Sequence, residues 1–306
     1  MYFSNDQIDI QNLNILDLLN KRESAINCCP HCNNKTFIKH GYYKTLQRFR
    51  CKNILCFKTF CATTKSPWSY TKKSFDLWKE YLHLIIQNKT LIECSKKLNI
   101  SITTAFYWRH KILSAMKYIY KPNPIKNFVE LKKNSFKENF KGNRKSFSNS
   151  AKKTININSS KYERKKIWII SAVDVNDTIL SEPISIGYIN IHLIQNTIYK
   201  KIPKDTYMLT IADTHLRAIE LKHNKNLKTS YAKDKKLAIL FTRHMPGWFR
   251  DFKNVATKYL NSYLTWYIIS YQKYYNNFIK FIEALTLSNS FTRISDFKSF
   301  KLIICN

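Results

Sequence analysis

Four cysteines carry the clearest chemistry in the chain. Cys29 and Cys32 form a C-x-x-C pair in Cys29-Pro30-His31-Cys32, and Cys51 and Cys56 follow with four residues between them. Thiolates are soft donors, and two such knuckles facing each other across a β-hairpin supply the four sulfurs of a tetrahedral zinc site. Five of the eight cysteines crowd between Cys28 and Cys56, and in a reducing compartment that crowding points to metal rather than disulfides. The expectation is a zinc ribbon over residues 27–66, turning at Gly41, with structural Zn on Cys29, Cys32, Cys51 and Cys56. The wide second spacing leaves Cys61 or Cys28 open as a substitute ligand. So short a piece buries little apolar surface, so its stability should depend on the metal.

The second constellation is cationic and polar. TLIECSKKLNISITTAFYWRHKIL reads as two helices around a turn, with small Ser95 at their crossing, Asn99 suited to a positive φ, and Ser101 placed to cap the second helix. Leu98, Ile100, Ala105, Trp108 and Ile112 then face inward. This leaves Thr103, Thr104, Tyr107, His110 and Lys111 on or near the outer face with Arg109 close by, types that contact base edges and phosphates. A helical hairpin whose basic residues are merely solvated is the competing reading, and the metal knuckles directly upstream favour DNA.

These groups need elements to position them. At 306 residues the chain has room for about two domains, and Lys plus Arg 52 against Asp plus Glu 20 gives 52 − 20 = +32, a field that attracts polyanions. The competing reading is AT-rich coding, which would by itself enrich Lys, Asn, Ile, Tyr and Phe. Hydrophobic residues at 44% and aromatics at 14% exclude a wholly disordered basic tail. No apolar run reaches the ~18 residues of a membrane span and no signal segment is evident, so a cytoplasmic protein with no membrane partner is expected. Residues 1–26 form an arm with helical apolar spacing. Phe75, Trp78, Tyr81, Leu82 and Ile85 mark an amphipathic helix at the start of a DNA-binding segment over 67–121. Lys121-Pro-Asn-Pro124 reads as a linker, and residues 137–166 as a basic flexible loop. KIWIISAVDV, ILSEPISIGYI and TYMLTIAD read as strands, with a helix near His192 to Lys201, which together suggest an α/β sheet. Aromatic helices follow from Trp248, their rings serving as core.

Four collinear stretches resemble one family. CPHC with RFRCKN and CFKTF, then NISITTAFYWRHKIL, then VELKKNSFKENFKGNRK, then GWFRDFKNVATKYLNSYLTW are similar to the zinc-ribbon DDE transposases of insertion sequences, the ISXO-like group, over about residues 27–268. The resemblance implies a multidomain α+β chain: zinc ribbon and helix-turn-helix binding double-stranded DNA at terminal inverted repeats, then a ribonuclease-H-like α/β domain over 122–306 with a mixed sheet and C-terminal aromatic helices. It also implies a carboxylate set holding two Mg²⁺ for strand cleavage and transfer, with self-association into a homo-oligomer left open. Hard cations require oxygen ligands. On the family pattern the first acid falls on Lys132, the second on Asp213 and the third on Ile239, so two of three oxygens are lost. Glu130, two residues along the same strand face, is the available catalytic partner for Asp213. Asp174, Glu220, Asp251 and His215 are weaker candidates. The reading is therefore a transposase-derived protein in which Mg matters only if catalysis survives, with a catalytically inactive sequence-preferring DNA-binding protein or repressor as the alternative.

Overall fold

Side-chain caps set where most of the long helices begin, and β-branched runs set the strands. A computed structural model describes residues 14–141, 164–227, 236–252, 255–272, 278–299 and 301–302. In chain order the elements are α1 (Ile15–Ser24), β1 (Phe37–Tyr43), β2 (Leu46–Cys51), β3 (Thr59–Phe60), α2 (Phe75–Ile86), α3 (Leu91–Lys97), α4 (Ile102–Ile119), β4 (Phe128–Lys137), β5 (Lys166–Asp174), β6 (Ile179–Ile186), α5 (Ile191–Asn196), a 3₁₀ turn (Ile198–Lys201), β7 (Tyr207–Ile211), α6 (Thr214–Asn224), α7 (Leu237–Asp251), a second 3₁₀ turn (Thr257–Tyr259), α8 (Leu260–Tyr271), α9 (Phe278–Leu287) and α10 (Asp296–Ser299). Among the described residues the protein is mixed α+β with two sheets. It forms two units, Met1–Tyr120 with Lys273–Lys298, and Lys121–Gln272 with Ser299–Asn306. Helix α9 therefore belongs with the N-terminal part rather than with a continuous 122–306 domain. Most of the expected basic loop at 137–166 lies outside the described residues, as does the first half of the arm.

In the first unit β1, β2 and β3 make an antiparallel sheet in that order. The hairpin does not turn at Gly41. Tyr43 pairs with Leu46, so Lys44 and Thr45 form the turn, with Lys44 at φ 54. Gly41 sits inside β1 at φ 70, where the register shifts between Lys39 and Tyr42; a positive φ in mid-strand is a bulge, which glycine adopts without penalty. Ser74, Thr90 and Ser101 cap α2, α3 and α4, and Thr90 with Glu93 forms a reciprocal capping box. The expected stripe of Phe75, Trp78, Tyr81, Leu82 and Ile85 is buried. It builds an aromatic core in which Trp78 and Trp108 stack at 3.8 Å and Trp68 donates to Thr286 Oγ1 at 3.2 Å. The arm's helix is anchored too: Arg22 donates to the carbonyls of Thr286, Leu287 and Ser288 at 3.1, 2.7 and 3.0 Å, satisfying oxygens that the C-terminus of α9 leaves without helical partners.

The second unit is built on a four-stranded sheet of order β6-β5-β4-β7. β4 pairs antiparallel with β5 and parallel with β7, so the sheet is mixed. Pro183 lies in β6, an edge strand, where its missing N–H is tolerated. Helices α5 and α6 cover one face and α7 and α8 the other. Val129, Leu131, Ile170, Ala172 and Met208 point into the first layer with Leu216 and Ile219. On the other side the aromatic helices are core as expected: Trp266 and Tyr267 are buried, and Trp248 packs against Trp266 at 5.1 Å. Among the described residues no helix is long and apolar enough to cross a membrane.

Candidate functional site

The cysteine spacing brings together the four residues it nominated. Cys29, Cys32, Cys51 and Cys56 place their Sγ atoms within 4.8 Å of one another, and Cys28 and Cys61 stand outside the group. A tetrahedron with Zn–S bonds of about 2.3 Å has edges of about 3.8 Å. The observed Cys29–Cys56 and Cys32–Cys51 separations are 3.8 and 3.5 Å. The wide second knuckle closes because Asn53 folds its four intervening residues into a turn: its side chain accepts from Leu55 N at 2.9 Å and its carbonyl from Cys56 N at 2.9 Å. Asn53 also directs N–H groups at two sulfurs, the backbone at Cys51 (3.4 Å) and the amide at Cys32 (3.9 Å), the outer-shell arrangement that orients metal-binding thiolates. Phe37, Phe49 and Phe60 pack beneath Cys29 and Cys51, sheltering one side. A backbone hydrogen bond at Asn34 brings the Cys32 thiol down to about 7, whereas burial pushes Cys51 up to about 12. A dication would pull such unlike thiols to a common thiolate state. These four residues can hold a metal ion, and the donor set fits structural zinc.

Helices α3 and α4 meet through Leu98–Ser101, with Asn99 at φ 48 and Ser95 Oγ donating to Ile100 O at 2.5 Å. The six residues nominated on α4 do not share an outer face. Thr103 is exposed, and Thr104 and Tyr107 are half-buried; Tyr107 stacks on Phe297 at 5.6 Å. Arg109 and His110 are buried, at 1% and 2% exposure. The Arg109 guanidinium donates to Lys89 O at 2.5 Å and lies 3.6 Å from Cys94 Sγ, so it ties the turn after α2 to α4. His110 packs against Phe106 and Phe297, at 4.4 and 5.4 Å. Lys111 is half-buried, its ammonium on Ser69 O at 2.6 Å, and burial pushes its pKa down to about 8. Phe297 and Ser69 are distant in sequence, which is why helical periodicity within α4 alone assigned these residues outward.

The carboxylates are arranged against metal chemistry. Asp213 caps α6, accepting from Leu216 N at 3.0 Å, and its other oxygen is ion-paired with Lys133. The preceding Ala212 has φ 50, a left-handed conformation that costs a non-glycine residue about 1–3 kcal/mol and aims the carboxylate. Burial pushes the Asp213 carboxyl up, but the hydrogen bonds of Lys133 and Leu216 N–H, with the charges of Lys133 and His215, outweigh it and hold the group below the usual carboxylate range. The Lys133 ammonium also lies 4.7 Å over the Trp168 ring. Glu130 does not join Asp213. It leaves β4 from the face opposite Lys133, is fully buried, and accepts from Ala238 N in α7 at 2.9 Å. Lys132 shares Glu130's face, and Ile239 follows Ala238 in the first turn of α7. Asp174 caps a turn, accepting from Asn176 N and Thr178 N at 2.8 Å each. Glu220 holds Thr210 N at 2.9 Å and pairs with Arg217, and Asp251 is exposed. Among the described residues only the four cysteines gather as three or more metal-ligating groups. The residues present around Asp213 do not fit a Mg²⁺ pair, since an ammonium occupies the carboxylate where the cation would bind.

Lys133 is the ion-pair partner of Asp213 that sequence reasoning passed over. Its role follows from the parallel pairing of Lys132 with Ile211, which brings the end of β7 beside the middle of β4 and which no local pattern encodes. No protein-family model, curated protein or solved structure matches the chain.

Proposed function

We propose that the chain is a transposase-derived DNA-binding protein, in which a zinc-held ribbon and a helix-turn-helix bind duplex DNA at inverted repeats while the ribonuclease-H-like domain has lost strand cleavage and transfer. One observation carries the binding half. Residues 27–66 contain six Lys, two Arg and no Asp or Glu, on a scaffold whose four thiolates suit zinc. Four thiolates on Zn²⁺ contribute −2, leaving 8 − 2 = +6 on about forty residues, a density suited to phosphate rather than to an acidic protein face. Thr103 and Ser101 at the exposed start of α4 are the base-reading candidates, and Lys96 and Lys97 on α3 are the backbone contacts. The mixed sheet is compatible with a ribonuclease-H-like domain, and the Lys133–Asp213 pair argues against a two-metal site within it.

The test is fluorescence anisotropy of the full chain on labelled duplex across a salt series, followed by cleavage and strand-transfer assays on repeat ends with Mg²⁺ or Mn²⁺. The expected result is binding whose log K falls against log salt with a slope steeper than about −4, as for five or more phosphates, and no cut product. Salt-insensitive or absent duplex binding would reject the reading. Cleavage that disappears in Asp213→Asn would restore the enzyme.

A further inference from the structure

The ribbon-bearing unit also contains a cavity of about 470 Å³, which gathers three of the ribbon's eight cations at one place. Arg48 reaches it from β2, Lys58 from the residue before β3, Lys65 from the segment that follows, and Arg293 from the C-terminal part of the unit, with His31 of the first knuckle beside them. No carboxylate is among its lining residues. Four permanent cations around one concavity repel one another, and the arrangement costs free energy until an anion enters.

The other wall is aromatic. Tyr70 and Phe291 line the same cavity with ring centroids 5.7 Å apart, and the Arg293 guanidinium lies 6.0 Å from the Phe291 centroid. Tyr70 is 82% exposed, although Trp68 and Trp78 form a buried core within a few residues of it. Its φ is 57, and that of Lys65 is also 57. Left-handed backbone is unfavourable for bulky side chains, costing about 1–3 kcal/mol at each position, and it persists where the surrounding structure imposes it. Here it turns one ring and one ammonium towards the same cavity. The volume falls in the range of small-molecule sites, and cations facing two neighbouring rings, tilted 46° to each other, match the two halves of a nucleotide, because either ring face can take a base.

We propose that this pocket takes one unstacked nucleotide, its phosphate held by Arg48, Lys58, Lys65 and Arg293 and its base lying on Tyr70 and Phe291. The nucleotide comes either from a splayed DNA strand, in which case the proposal rests on the DNA-binding reading above, or from a free mononucleotide. The phosphate and ring requirements are common to both sources.

The experiment uses the full chain, with Tyr70→Ala and Arg293→Gln, both at exposed positions. Three probes are titrated: a labelled thymidine 12-mer, a labelled blunt duplex of random sequence, and thymidine 5′-monophosphate followed by tyrosine fluorescence. Stacking on one base supports a loss of about tenfold in Tyr70→Ala on the single strand, with duplex affinity changed less than twofold. Loss on the 12-mer without monophosphate binding assigns the site to DNA. Monophosphate binding that both variants abolish assigns it to free nucleotide, and does so even where the wild type fails to bind duplex. Wild-type single-strand binding unchanged in both variants, with no monophosphate binding, overturns the pocket while leaving duplex recognition standing. Inactivity of all three probes overturns both.

Discussion

Replacing Lys133 by methionine removes the ammonium from the Asp213 carboxylate while keeping most of the aliphatic stem over Trp168. In the wild-type protein the pair keeps 17% of the Lys133 side chain and 8% of the Asp213 side chain exposed, so it lies between a surface pair and a sealed one. Breaking a buried pair costs about 3–5 kcal/mol because the surviving charge is stranded; the residual exposure of Lys133 places the expected loss near the lower end, about 3 kcal/mol at pH 7. The pH dependence has a definite sign. Asp213 is held below its ordinary range in the folded protein, so the pair's contribution is complete above the unfolded carboxyl pKa of about 3.9 and is lost as pH falls through the folded value. Without Lys133, burial raises the carboxyl and lets it protonate earlier, so the gap between wild type and variant is widest at neutral pH and closes on acidification. Urea unfolding followed by tryptophan fluorescence at several pH values measures both quantities, and Asp213→Asn with the double variant completes the cycle. A loss under about 1 kcal/mol, the value of an exposed pair, or a gap that ignores pH, would refute the argument. So would a wild-type protein that Mg²⁺ stabilises and Asp213→Asn desensitises.

Metal analysis of the purified protein is expected to give one zinc per chain, lost in Cys29→Ser with collapse of the ribbon and retained in Cys61→Ser; zinc content indifferent to Cys29 would remove the metal centre. The folded Lys111 pKa is pushed from 10.5 to about 8, so the unfolded chain binds more protons between those values and wild-type stability relative to Lys111→Met should rise across that window. A falling or flat difference in denaturant unfolding would contradict this. Because its ammonium faces Ser69, Lys111→Met is also expected to leave the salt slope of duplex binding unchanged, which the same anisotropy titrations report.

The legible parts of the site were those encoded within one short stretch. Cys29 and Cys32 share a knuckle, Cys51 and Cys56 share another, and ligand chemistry constrains both spacings, so the cluster was readable before any fold. The caps at Ser74, Thr90 and Ser101 are equally local. What was not legible depended on distant partners. Arg109 reads as lying close to the outer face until Lys89 and Cys94 close over it, and His110 reads as on or near that face until Phe297 arrives. Gly41 offered a turn, but the two-residue connection at Lys44 and Thr45 fixed the register, leaving the glycine for a bulge. The resemblance to the transposase pattern singles out Lys132, whereas the parallel pairing of β4 with β7 puts its neighbour Lys133 against Asp213. The cations of the Arg48–Lys58–Lys65–Arg293 pocket were visible singly, and only folding collects them.

The grip of Arg22 on the carbonyls at Thr286, Leu287 and Ser288 has a consequence for biosynthesis. Residue 287 is translated 287 − 120 = 167 positions after Tyr120, a delay of roughly 10–30 s at ordinary elongation rates. Throughout that interval the nascent head of the chain holds a guanidinium and the Trp68 indole whose acceptors have yet to leave the ribosome. Synthesis interrupted before residue 278 would therefore release the first unit without the helix that closes it.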